Sequence, residues 1–175
     1  MLFRSLPHSP TIFIDKGGIE TGDVWADKLK KALATSKCLV PIFIGPYFNS
    51  EWCSREFAII HNRQNALGFG TIDKPGGLII PVLAADGDTL HAHAKRLQSI
   101  NFKEFYTDCE SFKKSLKYMD FEAKIKELTH AIIKTLENVP EWDAEWLEEK
   151  WLDNVNIKDY HKPNPIYPTL NPTLR

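Results

Sequence analysis

The sequence predicts one α/β domain built on a mostly parallel sheet, and three observations predict it. Short runs rich in β-branched residues recur at Thr11–Ile14, Cys38–Ile44 and Leu78–Leu83. Segments with helical periodicity separate them. The second and third runs are apolar throughout, which is the pattern of strands buried on both faces and not the alternation of a half-exposed antiparallel sheet.

Each element has a local reason. Thr11–Ile14 ends at Asp15 and the Gly17-Gly18 pair, so a strand should give way to a loop that continues through Ile19-Glu20-Thr21-Gly22. From Asp23, the residues Trp25, Leu29, Ala32 and Leu33 fall on one helical face while Lys28, Lys30 and Lys31 fall on the other, until Thr35-Ser36. A second helix carries Trp52 and Glu56, with Phe57, Ile59 and Ile60 on its buried side. Asn65 to Gly77 is a glycine-rich connection, and Asp86-Gly87-Asp88 signals a turn. His91 to Leu97 reads as a short helix with both of its histidines in solvent, and Ile100 to Phe105 alternates like an edge strand. Phe112 to Leu136 is the longest helical pattern, with Leu116, Ile125, Leu128, Ile132 and Leu136 as its apolar stripe. Trp142, Trp146 and Trp151 follow in an acidic segment and should dock it on the domain; Pro163, Pro165, Pro168 and Pro172 then exclude regular structure. The expected division is a domain over residues 1–140 and a Trp-rich, then Pro-rich, tail over 141–175. Strands alternating with helices imply βαβ units in a flavodoxin-like arrangement.

Composition narrows the function. With 175 residues and a formal net charge of −1, acids and bases interspersed, the chain has no basic field for nucleic acid or an anionic membrane. Cys38, Cys53 and Cys109 are odd in number and scattered, which argues against a zinc or disulfide framework. His91 and His93 have no third ligand nearby in sequence, and Asp86 and Asp88 lack the rest of a calcium loop. No segment has the length needed to span a bilayer, so a cytoplasmic location is the expectation.

The densest chemistry lies in Tyr47-Phe48-Asn49-Ser50-Glu51-Trp52-Cys53-Ser54-Arg55-Glu56. Trp52 and Glu56 are one helical turn apart on one face, just past the carboxyl end of a buried strand, where open α/β sheets place their ligands. Taken alone, such a pair is more often a core aromatic beside a solvated charge.

Together with Ile12-Phe13-Ile14-Asp15, Gly18-Ile19-Glu20-Thr21-Gly22-Asp23-Val24-Trp25 and Ser36-Lys37-Cys38-Leu39-Val40-Pro41, in that order, this stretch resembles the Toll/interleukin-1 receptor (TIR) domain. Ile80-Pro81-Val82-Leu83, Asp86-Gly87-Asp88 and Ile100-Asn101-Phe102 resemble the later half of bacterial members. The resemblance covers roughly the first four-fifths of the chain. It implies a flavodoxin-like sheet of which four strands of five are expected here, because a TIR domain normally begins with a central strand and helix that would precede Thr11. That absent strand would lie between the Thr11–Ile14 and Cys38–Ile44 strands.

The resemblance also implies a function. Glu56 would be the catalytic glutamate of NAD+-cleaving members, with Trp52, Tyr47, Ser50, Gly18 and Ile19 binding the substrate. Asp15 to Asp23 would be the BB loop, through which such domains meet copies of themselves or other TIR domains. NAD+ would be a substrate and not a resident cofactor, since the sequence holds no Gly-rich phosphate fingerprint. The expected role is an NAD+ nucleosidase in bacterial immune or antiphage signalling, activated by self-association. The alternatives are a non-catalytic interaction module and a nucleotide sensor that binds without cleaving.

Overall fold

The computed structural model describes residues 12–13, 25–85, 90–105 and 110–161. Its sheet has three parallel strands, β1 (Ile42–Phe43), β2 (Val82–Leu83) and β3 (Ile100–Asn101), in the order β1-β2-β3. Ile42 lies opposite Val82 and Val82 opposite Ile100. The strands are shorter than the apolar runs that predict them. Leu39 forms an isolated parallel bridge with Ile79, and the ladder resumes only at Ile42. Pro41 accounts for the break, because it has no N–H to continue the pairing, although its carbonyl still accepts from Val82 N–H at 2.9 Å. Past Asn101 the chain turns into a 3-10 segment, Lys103–Phe105, instead of the expected longer edge strand.

Of the strand expected at Thr11–Ile14, the described residues Ile12 and Phe13 have no regular structure and are 73% and 39% exposed. A β-branched run forms a strand only where a partner edge and a core face receive it. Thr11, Ile14 and Asp15 to Asp23 lie outside the described residues.

Helices cover both faces. On one side α1 (Trp25–Thr35) contributes Leu29, Leu33 and Ala34, and α2 (Glu51–Ala66) contributes Phe57, Ile59 and Ile60, to a core that also holds Phe43, Phe48 and Leu78. The short α3 (Ala92–Lys95) adds Ala94. On the other side α4 (Lys117–Asn138) lays Phe121, Leu128 and Ile132 over Ile80, Val82, Ile100 and Phe102. Leu116, first in the expected stripe, stands 87% exposed just ahead of α4, and Ile125 is exposed at 40%. The buried face is therefore narrower than the sequence pattern.

The Trp-rich segment does pack on the domain. Trp142 Nε1–H donates to the Ala34 carbonyl at 3.1 Å, and Leu152 of α5 (Glu149–Leu152), Val155 and Tyr160 join the first core. Arg63 is the brace beneath it. Its guanidinium donates to the Leu33 and Ser36 carbonyls at 2.6 and 2.8 Å, closing the end of α1, and lies 5.1 Å from the centre of the Trp146 ring. Burial lowers its pKa to about 10, which leaves it charged at neutral pH.

Tyr160 is held by histidines. Its hydroxyl lies 3.0 Å from His61 Nδ1, and the rings of His61, His91 and His93 all lie within 6 Å of the Tyr160 ring. His91 and His93 are half-buried and stacked, not solvated as their sequence suggests. Burial first, and His93 second, lower the His61 pKa from its ordinary 6.5. The unfolded chain thus takes up this proton before the folded one does, so the stability tied to neutral His61 is complete above pH 6.5 and is lost as pH falls below it. The thermal midpoint should drop between neutral pH and about pH 5.5, and His61→Phe should flatten that drop; a variant with the same acid sensitivity would remove His61 as its source.

Candidate functional site

The site begins where β1 ends. After Phe43 the chain makes a 3-10 turn, Tyr47–Asn49, and enters α2 through Ser50. Ser50 is extended (φ −81°, ψ 124°), and its Oγ accepts from Cys53 N–H at 3.3 Å, which caps the helix. Ser54, fully buried, donates through its Oγ to the Ser50 carbonyl at 2.8 Å and to the Phe48 carbonyl at 3.2 Å. The turn and the first helical turn are tied into one unit.

Aromatic packing sets the direction of that unit. Phe48 meets Phe57 edge-on at 5.3 Å, and Tyr47 meets both Phe43 and Phe48 edge-on at 5.0 and 4.9 Å. Successive helical residues are about 100° apart, so burying Phe57 carries Glu56 around to the flank of the helix.

Glu56 there lines an open trough of about 660 Å³. Val40, Ile42 and Ile44 form its apolar side, while Tyr47, Asn49, Ser50 and Cys53 border it with Glu56. The Tyr47 hydroxyl is driven well above its usual pKa by burial first and then by the charges of Cys53 and Glu56. It stays protonated, and can act as a donor, throughout the physiological range.

Of the residues singled out from sequence, the structure brings together Tyr47, Ser50 and Glu56. It does not bring Trp52 to the trough. The half-buried Trp52 ring packs against the first core, with the Arg55 guanidinium 5.9 Å from its centre, and Arg55 also pairs with Glu51 at 3.4 Å. Gly18 and Ile19 lie outside the described residues. Asn49 and Cys53 are additions that sequence reasoning did not place. Cys53 sits three residues before Glu56, a spacing that puts the two on one helical face and would have flagged the thiol. Among the described residues no cluster of histidine, cysteine or carboxylate groups suits a metal ion, and no helix is long and apolar enough to cross a membrane.

The family model for the TIR domain matches residues 4–117, well over half of the chain. The chain belongs to the TIR domain family. The match spans the whole path from the N-terminal region through the trough to the start of α4, so it covers every candidate residue of the site. No curated protein and no solved structure matches this TIR domain significantly. Membership assigns it to signalling domains that associate with one another, and the parallel three-stranded sheet with helices on both faces is consistent with the family's α/β fold.

Because Ser50 caps α2, Ser50→Ala should cost about 1 kcal/mol, and Ser50→Asp should keep most of the stability. Urea denaturation measures both. An Ala variant as stable as the parent would mean that the Cys53 N–H finds another acceptor.

Proposed function

We propose that this TIR domain cleaves NAD+ at the bond between nicotinamide and ribose, with Glu56 as the catalytic carboxylate. The observation that carries the reading is the position of Glu56 in an open trough beside the carboxyl end of β1, with an apolar wall for flat rings and hydroxyl and amide groups at its border. Metal-independent chemistry suits this substrate. Nicotinamide leaves as a neutral molecule, taking the electron pair of the glycosidic bond onto a nitrogen that was formally cationic, so its departure needs no general acid. Positive charge builds on the ribose, and one carboxylate opposite that carbon stabilises it, in partial analogy to retaining glycosidases. Water then adds at the same carbon and releases a proton, giving ADP-ribose; attack by a group of the substrate itself would give a cyclic form. Tyr47, held protonated, would donate a hydrogen bond to a ribose or phosphate oxygen. Gly18 and Ile19 would complete the substrate contacts, and Trp52 would support Glu56 from the core side of the helix.

The reading extends to cytoplasmic, immune-type or antiphage signalling in bacteria, switched on when copies associate through the BB loop, Asp15 to Asp23. A second reading, a non-catalytic module that binds other TIR domains, is favoured by the turn of Trp52 toward the core, which denies the trough the aromatic wall expected of that residue.

Chromatography of NAD+ incubated with concentrated protein should show nicotinamide release. Glu56→Gln should lower that release by about 100-fold or more, as loss of a group acting on transition-state charge does. Its unfolding free energy should stay within about 0.5 kcal/mol of the parent, since Glu56 is not part of the core. Undiminished turnover in the variant would remove Glu56 from its role, and no turnover in either form would select the interaction module.

A further inference from the structure

The C-terminal segment is attached to the domain in two unequal halves. Its near half is anchored by Trp142, which donates to the Ala34 carbonyl, and by Trp146 over the Arg63 guanidinium. Glu148 is extended (φ −68°, ψ 146°) between the 3-10 turn Ala144–Leu147 and α5, and the chain after it is held differently. Among the described residues every backbone hydrogen bond of 148–161 closes within 145–161, as from Trp151 N–H to the Glu148 carbonyl and from Tyr160 N–H to the Ile157 carbonyl, both at 2.9 Å. No backbone bond joins this half to the domain. It adheres through the buried side chains of Leu152, Val155 and Tyr160 and through the ion pair of Asp153 with Lys30, and its helical pieces are too short to persist unsupported. Segments of this kind open as units, at less cost than global unfolding.

The polar contact at the far end is with a histidine. The Tyr160 hydroxyl lies 3.0 Å from His61 Nδ1 and the Asn65 amide nitrogen 3.5 Å from the same atom, so both neighbours can offer it a hydrogen, which suits an imidazole nitrogen that carries no proton. Tyr160 keeps its own proton, because burial first and the Asp159 charge second raise the hydroxyl above its usual pKa. The other sides of the His61 ring are closed by apolar or like groups. Phe57 stacks on it at 5.7 Å, and α3 brings the His93 ring to 5.0 Å, with His91 stacked on His93. Asp159 is exposed, and its Oδ2 accepts from Asn156 Nδ2 at 3.3 Å; among the described residues no carboxylate pairs with His61. A proton on His61 Nδ1 therefore reverses the Tyr160 contact, meets no counter-charge and faces a second imidazole.

We propose that residues 148–161 form a strap, latched to α2 by Tyr160 and released when His61 takes up a proton, while the sheet and its helices stay folded. Tyr160 also lies 5.8 Å from Phe57, the residue that sets the turn of α2, so release removes one face of the packing behind Glu56. The strap is a pH-dependent support for that helix. Linkage gives the direction: the enclosed ring takes up a proton less readily than the freed ring, so acid favours release, and one proton can raise the release equilibrium by at most about tenfold between about pH 7.5 and 5.5. The device lies apart from the trough, and nothing in it requires NAD+ cleavage.

Amide hydrogen exchange of the full chain at about pH 7.5 and 5.5, expressed as protection factors so that the intrinsic pH dependence is removed, tests the proposal. Protection at the amides of Trp151, Asp153, Asn154 and Tyr160 should fall several-fold, to a limit of about tenfold, at the lower pH, while the sheet amides of Leu39, Ile80 and Val82 keep theirs. His61→Phe, which retains a flat ring against Phe57 but takes no proton, and His61→Asn, which retains a polar partner for Tyr160, should both abolish the fall. The parent supplies a reading that needs no variant: in an NMR pH titration the His61 ring and the Tyr160 amide should shift with one midpoint. Strap amides as protected at pH 5.5 as at 7.5, sheet amides that lose protection in step with them, or separate midpoints for His61 and Tyr160 would each overturn the proposal. So would a folded His61 variant that keeps the parent's acid response. Nicotinamide release plays no part in these readouts, so failure of the catalytic reading leaves the strap standing.

Discussion

The aromatic cluster of Phe43, Phe48 and Phe57, with Phe48 edge-on to Phe57 and Phe43 tilted against both, is the contact on which the rest of the site depends. It joins a strand, a turn and a helix through side chains no more than 1% exposed, and a helix pinned at one buried residue has little rotational freedom left. Glu56 faces the trough because its neighbour Phe57 cannot. The Ser54 hydroxyl repeats the constraint at backbone level, tying the helix start to the Phe48 and Ser50 carbonyls. A cap, a buried hydroxyl and an aromatic stack therefore act together to present one carboxylate.

A second set of contacts supports the opposite end of α2. Arg63 closes α1 from within the fold, Gln64 Oε1 accepts from Leu78 N–H at 2.9 Å, and the histidines around Tyr160 hold the C-terminal segment against the same helix. A Cβ at Gly77 would come within 2.7 Å of that Gln64 oxygen, so a side chain there would displace the amide from Leu78. The helix that carries Glu56 is thus braced along its whole length by polar groups the core has enclosed. The site is rigid on the α2 side and open on the β1 side.

The parts legible from sequence are those where periodicity and burial coincide. The runs containing β1 and β2, the helices α1 and α2, and the cap-to-carboxylate stretch from Ser50 to Glu56 follow from hydrophobic period and residue type. The parts that were not legible depend on partners remote in sequence. Trp52 has the same local signature whether it faces a cleft or a core, and only the packing of α2 decides between them. His91 and His93 read as surface residues because the Tyr160 ring that encloses them comes from an element far along the chain, and nothing local to Arg63 marks the α1 carbonyls and the Trp146 ring that enclose it. The shortening of β1 was visible in principle at Pro41. The exposure of Ile12 and Phe13 was not, since strand propensity describes a residue's fitness for an edge and not whether an edge receives it.

The central claim is that the hollow bounded by Tyr47, Asn49, Cys53 and Glu56 accepts a nucleotide. Two-dimensional NMR of the isotope-labelled chain titrated with an NAD+ analogue whose glycosidic bond cannot break addresses it without requiring turnover. A nucleotide seated there should give saturable shifts centred on the amides of those four residues and fading along α2 toward Arg63. Shifts confined to another surface, or none at millimolar analogue, would contradict it.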